Sequence, residues 1–422
     1  MKKRILSCLM ALALCLSLLP TAALAEGASA EVSTANELTN ALNGDAAIIK
    51  LTANIEISTM LKVNRTVTLD LNDHVLKMTG TGRVIEVESG GNLTLTDSTP
   101  NATYKFGIDE STKLWILDET SGANTVNGGV ITGGNANANN NDGGGVRIVS
   151  GTFTMTGGNI VGCTAGAGGG VDVRGTFTMT GGSIAGCVAT GASGGGVYVA
   201  AGGQLELNGA TIRDCQGAYG GGAVCTQGNF YMYNGAVIKD CETWHAGGGG
   251  AVYTTGSAAR FIMRDTALIE NCSFCGVWVE EGTFSMEGGT IRGCESRSGG
   301  GGIYVSEGAV FTLSGGLITD NYNGTNKGAA IYLAGTLNLR GGEIADNIVD
   351  DMSIYWEDFE PHEGIWGTYS STINCGGGIV RDNVYLQENA RVNDDSFYGT
   401  TLFFDKMLGS GDVRGGTYLE EC

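Results

Sequence analysis

The sequence has little of what several protein classes require. Proline and histidine each occur only 3 times in 422 residues. A collagen-like or proline-rich disordered chain is excluded, because proline is rare and the 42% of hydrophobic residues suffice for a core. The few histidines form no cluster with cysteine, which excludes the usual transition-metal enzymes. We therefore expect no metal site and no cofactor.

Basic residues are also scarce. Lys and Arg total 24 against 44 Asp and Glu, which gives a net charge of −20. A surface with this charge repels the phosphates that it would have to neutralise. We therefore expect neither nucleic acid nor an anionic membrane as a partner.

The start of the chain has the features of an export signal. Three basic residues at 2–4 precede an apolar run at 5–19, and positions 23–25 read Ala-Leu-Ala. This order predicts a signal peptide at 1–25, which is cleaved before Glu26. No other window approaches the roughly 20 apolar residues of a membrane span. We expect a mature protein that is secreted, or held at the cell surface, without a membrane span.

Glycine, in contrast, is abundant at 72 residues, and it belongs to an internal repeat. Variants of a Gly-Gly-Val-Tyr-Val segment return at spacings of 25, 26, 27, 28, 25, 26 and 28 residues. Each repeat holds three short runs of alternating apolar and polar residues, which is typical of strands with one buried face. The first apolar residue of the motif is Val146, Val171, Val197, Val224, Val252, Val277, Ile303 and Ile331.

Three short strands cannot bury their inner face alone, so such a repeat is stable only when it is stacked on copies of itself. Glycines at the corners allow the chain to turn. We predict an all-β, single-domain, right-handed parallel β-helix with about one coil per 25–28 residues. A leucine-rich solenoid is the alternative, but its Leu-x-x-Leu-x-Leu frame is missing.

The segments around the repeat indicate how the rod begins and ends. Residues 46–347 are predicted to form the β-helix, with an irregular excursion at 99–125. A Thr-x-x-Glu capping box that begins at Thr34 predicts a short helix over the N-terminal end, within residues 26–45. Residues 348–422 are predicted to hold an insert and C-terminal cap coils.

The repeat resembles that of a known group of bacterial surface proteins. Ile-Thr-Asp-Asn at 318–321, followed by Gly-Ala-Ala-Ile at 328–331, is similar to the repeat of polymorphic outer-membrane proteins and related adhesins. The segments Leu-Asp-Leu-Asn-Asp-His at 69–74 and Leu-Thr-Leu-Thr-Asp-Ser at 93–98 are similar to the opening coils of secreted pectin-lyase-like proteins. The resemblance covers roughly residues 46–347. It implies a β-helix that either adheres to surfaces or cleaves polysaccharides.

A column of cysteines follows the recurring isoleucine of each repeat. The structural interpretation is a ladder of buried, reduced thiols continued by asparagine, and the alternative is a metal or redox stack. Parallel Cβ vectors do not converge to the ~3.8 Å that a disulfide prefers. Cys272 and Cys275 form a C-x-x-C pair, for which a local disulfide is the alternative. The column comprises Cys163, Cys187, Cys215, Cys241, Cys272, Cys294, Asn321 and Asn347.

Motifs for catalysis are weak. Pectin hydrolases combine several aspartates with Gly-His-Gly and Arg-Ile-Lys, and neither triplet occurs here. The acid pairs at 350–351 and 394–395 lie outside the regular coils, and Gly-x-Ser-x-Gly at 191–195 lacks the strand–turn–helix context of a nucleophile. We expect no catalytic residues and a non-enzymatic protein. A polysaccharide lyase or glycoside hydrolase is the alternative.

The clearest surface pattern is aromatic. The middle residue of the apolar-x-apolar strand points outward, so aromatic residues there predict a stripe of rings about 4.8 Å apart. Such a stripe favours a role in binding carbohydrate or a surface protein, whereas the alternative is cross-strand stabilisation. The aromatic-rich insert at 349–370 is a second candidate, unless it caps the rod. The candidate ligand-binding residues are Tyr198, Tyr253, Trp278, Tyr304, Tyr332, Trp356 and Trp366.

Overall fold

The chain forms a parallel β-helix. Each strand of its main sheets pairs with the equivalent strand of the next repeat, as Val171 does with Val146 and with Val197. This confirms the prediction of an all-β solenoid with one repeat per coil. The computed structural model describes residues 28–137, 142–191, 194–244, 249–325, 327–350, 364–387, 390–393, 402–404 and 413–414.

One long face of the rod is a 13-stranded sheet, which we name sheet I. Eight of its strands, those that begin at Val146 to Ile331, come from the recurring glycine-rich motif. In Val197–Val199 the two valines are buried and the tyrosine between them is half-buried, because successive side chains point to opposite faces. The strands are Leu61–Val63, Ile85–Val87, Val146–Ile148, Val171–Val173, Val197–Val199, Val224–Thr226, Val252–Thr254, Val277–Val279, Ile303–Val305, Ile331–Leu333, Ile365–Gly367, Val384–Leu386 and Leu402–Phe404.

A 23-stranded sheet, sheet II, receives up to two strands from each coil. These strands are Ser29–Val32, Ile48–Leu51, Ile55–Ile57, Thr66–Asp70, Val75–Met78, Asn92–Thr96, Val130–Thr132, Thr152–Met155, Asn159–Val161, Thr176–Met179, Ser183–Ala185, Gln204–Asn208, Thr211–Arg213, Asn229–Tyr233, Val237–Lys239, Arg260–Met263, Leu268–Glu270, Thr283–Arg292, Val310–Thr319, Thr336–Ala345, Thr372–Val380, Arg391–Asn393 and Val413–Arg414. Two short sheets complete the coils, with strands Asn135–Ala136, Thr164–Ala165, Val188–Ala189, Gln216–Gly217, Glu242–Thr243 in one and Glu295–Ser296, Tyr322–Asn323, Ile348–Val349 in the other.

Identical side chains stack on one another inside the rod. Phe230, Phe261, Phe284 and Phe311 occupy one interior column, with neighbouring ring centroids 4.6–4.9 Å apart and rings nearly parallel. All four are fully buried. Burial of one such side chain contributes roughly 1.5–3 kcal/mol, and each ring pair adds about 0.5–1.5 kcal/mol. The repeat therefore generates its own core, coil upon coil.

The chain turns just before the cysteine column through a residue with left-handed backbone. This residue is Asp214, Asp240, Asp320 or Asp346 in four coils, with φ of 53–59°. In the first three of these coils its N–H donates to a carbonyl of the next coil, as Asp214 does to Lys239 at 3.2 Å. Aspartate tolerates this conformation better than most side chains, which explains why it alternates here with glycine and asparagine.

A short helix, α1, lies at the N-terminal end of the rod and spans Ala35–Asn43. The predicted capping box is present, because the Thr34 hydroxyl accepts from the Glu37 N–H at 3.3 Å and the Glu37 carboxylate accepts from the Thr34 N–H at 3.1 Å. Leu38 and Leu42 are buried against the first coils. A strand that the sequence pattern did not predict, Ser29–Val32, precedes the helix and extends sheet II.

The predicted irregular excursion contains a three-stranded antiparallel sheet, the side sheet, with strands Thr103–Ile108, Trp115–Leu117 and Asn124–Asn127. Phe106, Trp115 and Val126 of this sheet pack on outward-facing side chains of sheet II. These partners come from four successive coils and are Val75, Val130, Val161 and Ala185. A fifth coil contributes Arg213, whose guanidinium carbon lies 4.9 Å from the Trp115 ring centroid.

Several predictions fall on segments outside the described residues, namely the signal peptide at 1–25, Trp356 and most of the insert at 349–370. Within the described segments, no helix is long and apolar enough to cross a membrane.

Candidate ligand-binding face

The middle residues of the sheet I strands form one outward-facing column along the rod. Strand register aligns them in the order that the repeat predicts and extends the column at both ends. Charged side chains occupy its lower part and aromatic side chains its upper part, which we name the aromatic stripe. From the N-terminal coil upward the column is Lys62, Glu86, Arg147, Asp172, Tyr198, Cys225, Tyr253, Trp278, Tyr304, Tyr332, Trp366 and Tyr385.

The rings of the stripe stack on one another. Trp278 and Tyr304 have centroids 4.1 Å apart, Tyr304 and Tyr332 4.4 Å, and Tyr332 and Trp366 5.0 Å. Tyr253 meets Trp278 edge to face at 6.3 Å. Because the faces of the stacked rings contact each other, a ligand meets their edges. The stripe is therefore a ridge of ring edges.

The tyrosines of the stripe are half-buried. Burial raises the pKa of Tyr198 and of Tyr253 to about 12, and it also raises the pKa of Tyr304, because the phenolate loses solvation there. The glycine-rich turns beside the column bury part of these tyrosine rings. A Cβ on Gly220 would lie 2.8 Å from a Tyr253 ring carbon, so this close approach requires glycine.

A row of side chains lies beside the stripe, and we name this row the groove. It is formed by the residues two positions after each column residue, which point to the same side of sheet I. Each of them donates its N–H to a strand of the preceding coil, as Ala334 does to Val305 at 2.8 Å. Most of these side chains are small, so the ring edges rise above them. The groove is lined by Ala200, Gln227, Thr255, Glu280, Ser306, Ala334 and Thr368.

A polar centre interrupts the groove at the middle of the stripe. The Trp278 indole N–H donates to Glu280 Oε2 at 2.8 Å, and the Ser306 hydroxyl donates to the same oxygen at 2.7 Å. The described residues thus hold the carboxylate through Oε2 alone and leave Oε1 as an acceptor. Sequence reasoning missed Glu280, although its position two residues after Trp278 places it on the same face.

Charged residues form a network at the lower end of this face. Asp172 is fully buried, and its carboxylate bonds Arg174 Nε at 3.0 Å and lies 3.3 Å from Arg147 Nε. Arg174 also bonds Asp142 at 2.8 Å. Desolvation raises the pKa of Asp172, and the two guanidinium groups oppose that rise. Opposite charges at consecutive column positions, Arg147 and Asp172, were the signal that could have revealed this network.

The cysteine column lies inside the rod, and its thiols are reduced. Each of the six thiols, from Cys163 to Cys294, donates to the carbonyl two residues earlier at 3.2–3.7 Å. The ladder continues upward through Asn321 and Asn347, and the Asn347 amide donates to Asp382 at 2.6 Å. Among the described residues, no group of His, Cys, Asp or Glu has the geometry to hold a metal ion.

The C-x-x-C pair lies in a strained turn. Cys272 and Cys275 are buried and reduced, and Phe274 and Cys275 have φ of 71° and 151°. Burial raises the pKa of the Cys275 thiol to about 12 and that of Cys272 well above its usual value. Redox catalysis requires a lowered thiol pKa, so this site lacks the chemistry of a dithiol oxidoreductase.

Thiol reagents test this placement. Cys187, Cys215 and Cys241 should react more than about a thousandfold more slowly in the native protein than in urea, because labelling requires local or global opening. Mass spectrometry of the labelled peptides measures the rates. Glu281→Cys is a matched control, since position 281 is exposed and its thiol should react at once. Rapid native labelling of the three column thiols would contradict their interior position.

A small concavity lies between the side sheet and the rod. Its volume is about 190 Å³, and Trp115, Leu117, Lys77, Asn135 and Thr164 contribute to its lining. The ammonium of Lys77 is already 3.3 Å from the Glu56 carboxylate. The concavity is short compared with the groove of sheet I, which extends over seven successive strands of the sheet.

Comparisons with known proteins add no functional assignment, because no protein-family model, no curated protein and no solved structure matches this chain.

Proposed function

We propose that this protein is an exported β-helix of the pectin-lyase-like type that acts by binding, at a bacterial surface or in the surrounding medium. Its binding face is the aromatic stripe with the adjacent groove, and its ligand is an extended carbohydrate chain or the surface of a partner protein. The observation that carries the proposal is the unbroken column of stacked rings from Trp278 to Trp366 on one rigid sheet.

Export is part of this proposal and is supported by the order of basic, apolar and small residues within 1–25. A rod of stacked coils suits such a location, because strand pairing between the coils holds its faces rigid. Half-buried rings in a fixed array lose little conformational freedom when a ligand binds, which favours affinity.

The charges on this face support binding more than catalysis. General acid–base chemistry needs a titratable group within hydrogen-bond reach of the substrate. Asp172, whose pKa is raised, is fully buried and is engaged by Arg147 and Arg174. Among the described residues, the stripe and its groove carry one carboxylate, that of Glu280, and a lyase or hydrolase needs at least a pair of charged groups.

The test is a double substitution in the middle of the stripe. Trp278→Ser with Tyr304→Ser should weaken binding to the glycan or surface protein that the mature chain retains by at least tenfold, about 1.4 kcal/mol. The double variant should also lose roughly 1–3 kcal/mol of stability, because the stacked pairs of rings are removed. This cost exceeds that of an ordinary exposed substitution, since the rings cover one another. A glycan array and surface plasmon resonance measure binding, and urea unfolding measures stability.

Tyr231→Ser is the matched control. Tyr231 is a half-buried tyrosine on the outer face of sheet II, where Glu206 and Ile262 are its neighbours in register. This variant should bind as the mature protein does. If the folded double variant keeps full affinity, the stripe is structural and the proposal is wrong. New reducing ends or unsaturated products in the same glycan incubations would instead establish the enzymatic alternative.

A further inference from the structure

We propose that the ligand is a neutral polysaccharide chain that lies in the groove parallel to the rod axis, and that Glu280 selects it by accepting hydrogen bonds from sugar hydroxyls. This inference rests on the proposed binding function and specifies its ligand class. Three features of the face carry it: the shape of the groove, its charge and the fixed carboxylate.

The shape of the groove fits a linear chain. From Ala200 to Thr368 it crosses seven coils, and at about 4.8 Å per coil its length is roughly 30 Å. One coil rise is close to the length of one pyranose unit in an extended chain, so successive sugars meet equivalent positions of the face. The ring edges of Trp278, Tyr304 and Tyr332 form the wall against which the apolar C–H faces of the sugars pack.

The charge at the middle of the groove disfavours acidic chains. No basic residue occupies the stripe or the groove between Tyr198 and Ala334. Arg174, at the lower end, is already paired with Asp172 and Asp142. The described cation nearest the upper stripe is Lys327, whose ammonium lies 5.7 Å from the Trp366 ring centroid, three strands above Trp278. A chain of uronic acids would therefore bring carboxylates next to Glu280 with no cation beside them at that level, whereas a neutral chain would experience no such repulsion.

The Glu280 carboxylate is fixed for this role. Trp278 and Ser306 donate to Oε2 and so set the orientation of the group toward the groove. An ionised carboxylate only accepts hydrogen bonds, and it binds hydroxyl donors roughly twice as strongly as a neutral acceptor does. Sugar hydroxyls can satisfy Oε1, whereas another carboxylate cannot. Glu280 thus determines specificity.

The experiment compares neutral and acidic forms of the same backbone. Suitable pairs are homogalacturonan, fully methyl-esterified or saponified, and cellulose carrying hydroxyethyl or carboxymethyl groups at matched chain length. Binding of each chain to the mature protein, to Glu280→Gln and to Glu281→Gln is measured by isothermal titration calorimetry at low and at high salt. Glu281 is the matched control, because it is exposed and adjacent in sequence but its carboxylate is outside the Trp278–Ser306 hydrogen bonds.

We expect the mature protein to bind the neutral member of at least one pair at least tenfold more tightly than the acidic member at low salt. Glu280→Gln should weaken neutral binding about fivefold, the difference between a charged and a neutral acceptor in one hydrogen bond. The same variant should also lower the ratio between the affinity for the neutral chain and the affinity for the acidic chain. Glu281→Gln should change neutral binding by less than about twofold, since it removes only a screened, exposed charge.

The outcomes separate this inference from the proposed function. Equal or tighter binding of the acidic chains would overturn the neutral class and leave the binding function intact. If the two Glu→Gln variants changed binding equally, the role of Glu280 would be overturned, because the net charge of the face and not this carboxylate would then set the affinity. If none of the four chains binds, the ligand is not a polysaccharide with either of these two backbones, and the inference is wrong. The binding function itself is wrong only if the Trp278→Ser, Tyr304→Ser double variant keeps full affinity for carbohydrate and for protein ligands alike.

Discussion

Replacing Asn321 with leucine should destabilise the β-helix by about 3–5 kcal/mol, since it removes the hydrogen bonds of a fully buried amide and orphans its partners. The Asn321 side chain accepts from the Cys294 N–H at 3.1 Å and donates to the Ile291 carbonyl at 3.1 Å and to Asn347 Oδ1 at 3.0 Å. Leucine fills the volume but leaves the Cys294 N–H and the Ile291 carbonyl without these partners. Urea unfolding measures the loss.

Asn321→Cys is the matched variant. At each of the six column positions nearer the N-terminus, a cysteine thiol donates a hydrogen bond to the carbonyl two residues earlier. At position 321 that carbonyl belongs to Thr319. Cysteine should therefore cost only about 1–2 kcal/mol, less than half the cost of leucine, because one donor is kept and little volume changes. If leucine costs no more than cysteine, packing alone governs the column and the hydrogen-bond argument is wrong.

The second large effect concerns a glycine whose backbone dihedral is ordinary. At Gly169 a Cβ would lie 2.5 Å from the carbonyl oxygens of Gly195 and Val188, both of which are backbone atoms that cannot move aside alone. Gly169→Ala should therefore cost about 3 kcal/mol or more by forcing adjacent coils apart. Thermal and urea unfolding measure this loss.

Gly202→Ala provides the comparison. Gly202 has φ of +82°, but no atom lies within 4 Å of a Cβ built on it. Alanine there should cost only about 1 kcal/mol, from the left-handed backbone conformation. A cost at Gly169 that is no larger than at Gly202 would show that the corner relaxes and that the coils are not in tight contact there.

The repeat alone predicts the part of the structure that follows from register. Once Val171 and Val197 are recognised as equivalent, the column that holds Tyr198 and the column that holds Cys187 are determined, because strands of period two leave only one choice of face. Both columns have the predicted order of residues in the structure. The Asp382 that ends the ladder was not predicted, because it lies beyond the regular repeat.

Other features depend on distances that a one-dimensional pattern does not contain. Whether the ring of Trp278 faces solvent or the ring of Tyr304 depends on side-chain rotamers, and the stacked arrangement makes the stripe a ridge. The Asp172 network requires Arg174, which belongs to the neighbouring groove column. The side sheet has no repeat and pairs only with itself in antiparallel fashion, so it left no periodic signal.

The side sheet also divides the rod into two regions of different cooperativity. A solenoid ordinarily frays from its ends, because each coil contacts only its neighbours. The contacts of the side sheet with Val75, Val161 and Arg213 span five coils, so opening one of them weakens the hold on the others. These coils should exchange their amide hydrogens as one block. Above them, from the coil of Tyr253 onward, no side-sheet strand bridges the described coils, and strand pairing and ring stacking couple each coil to its neighbour.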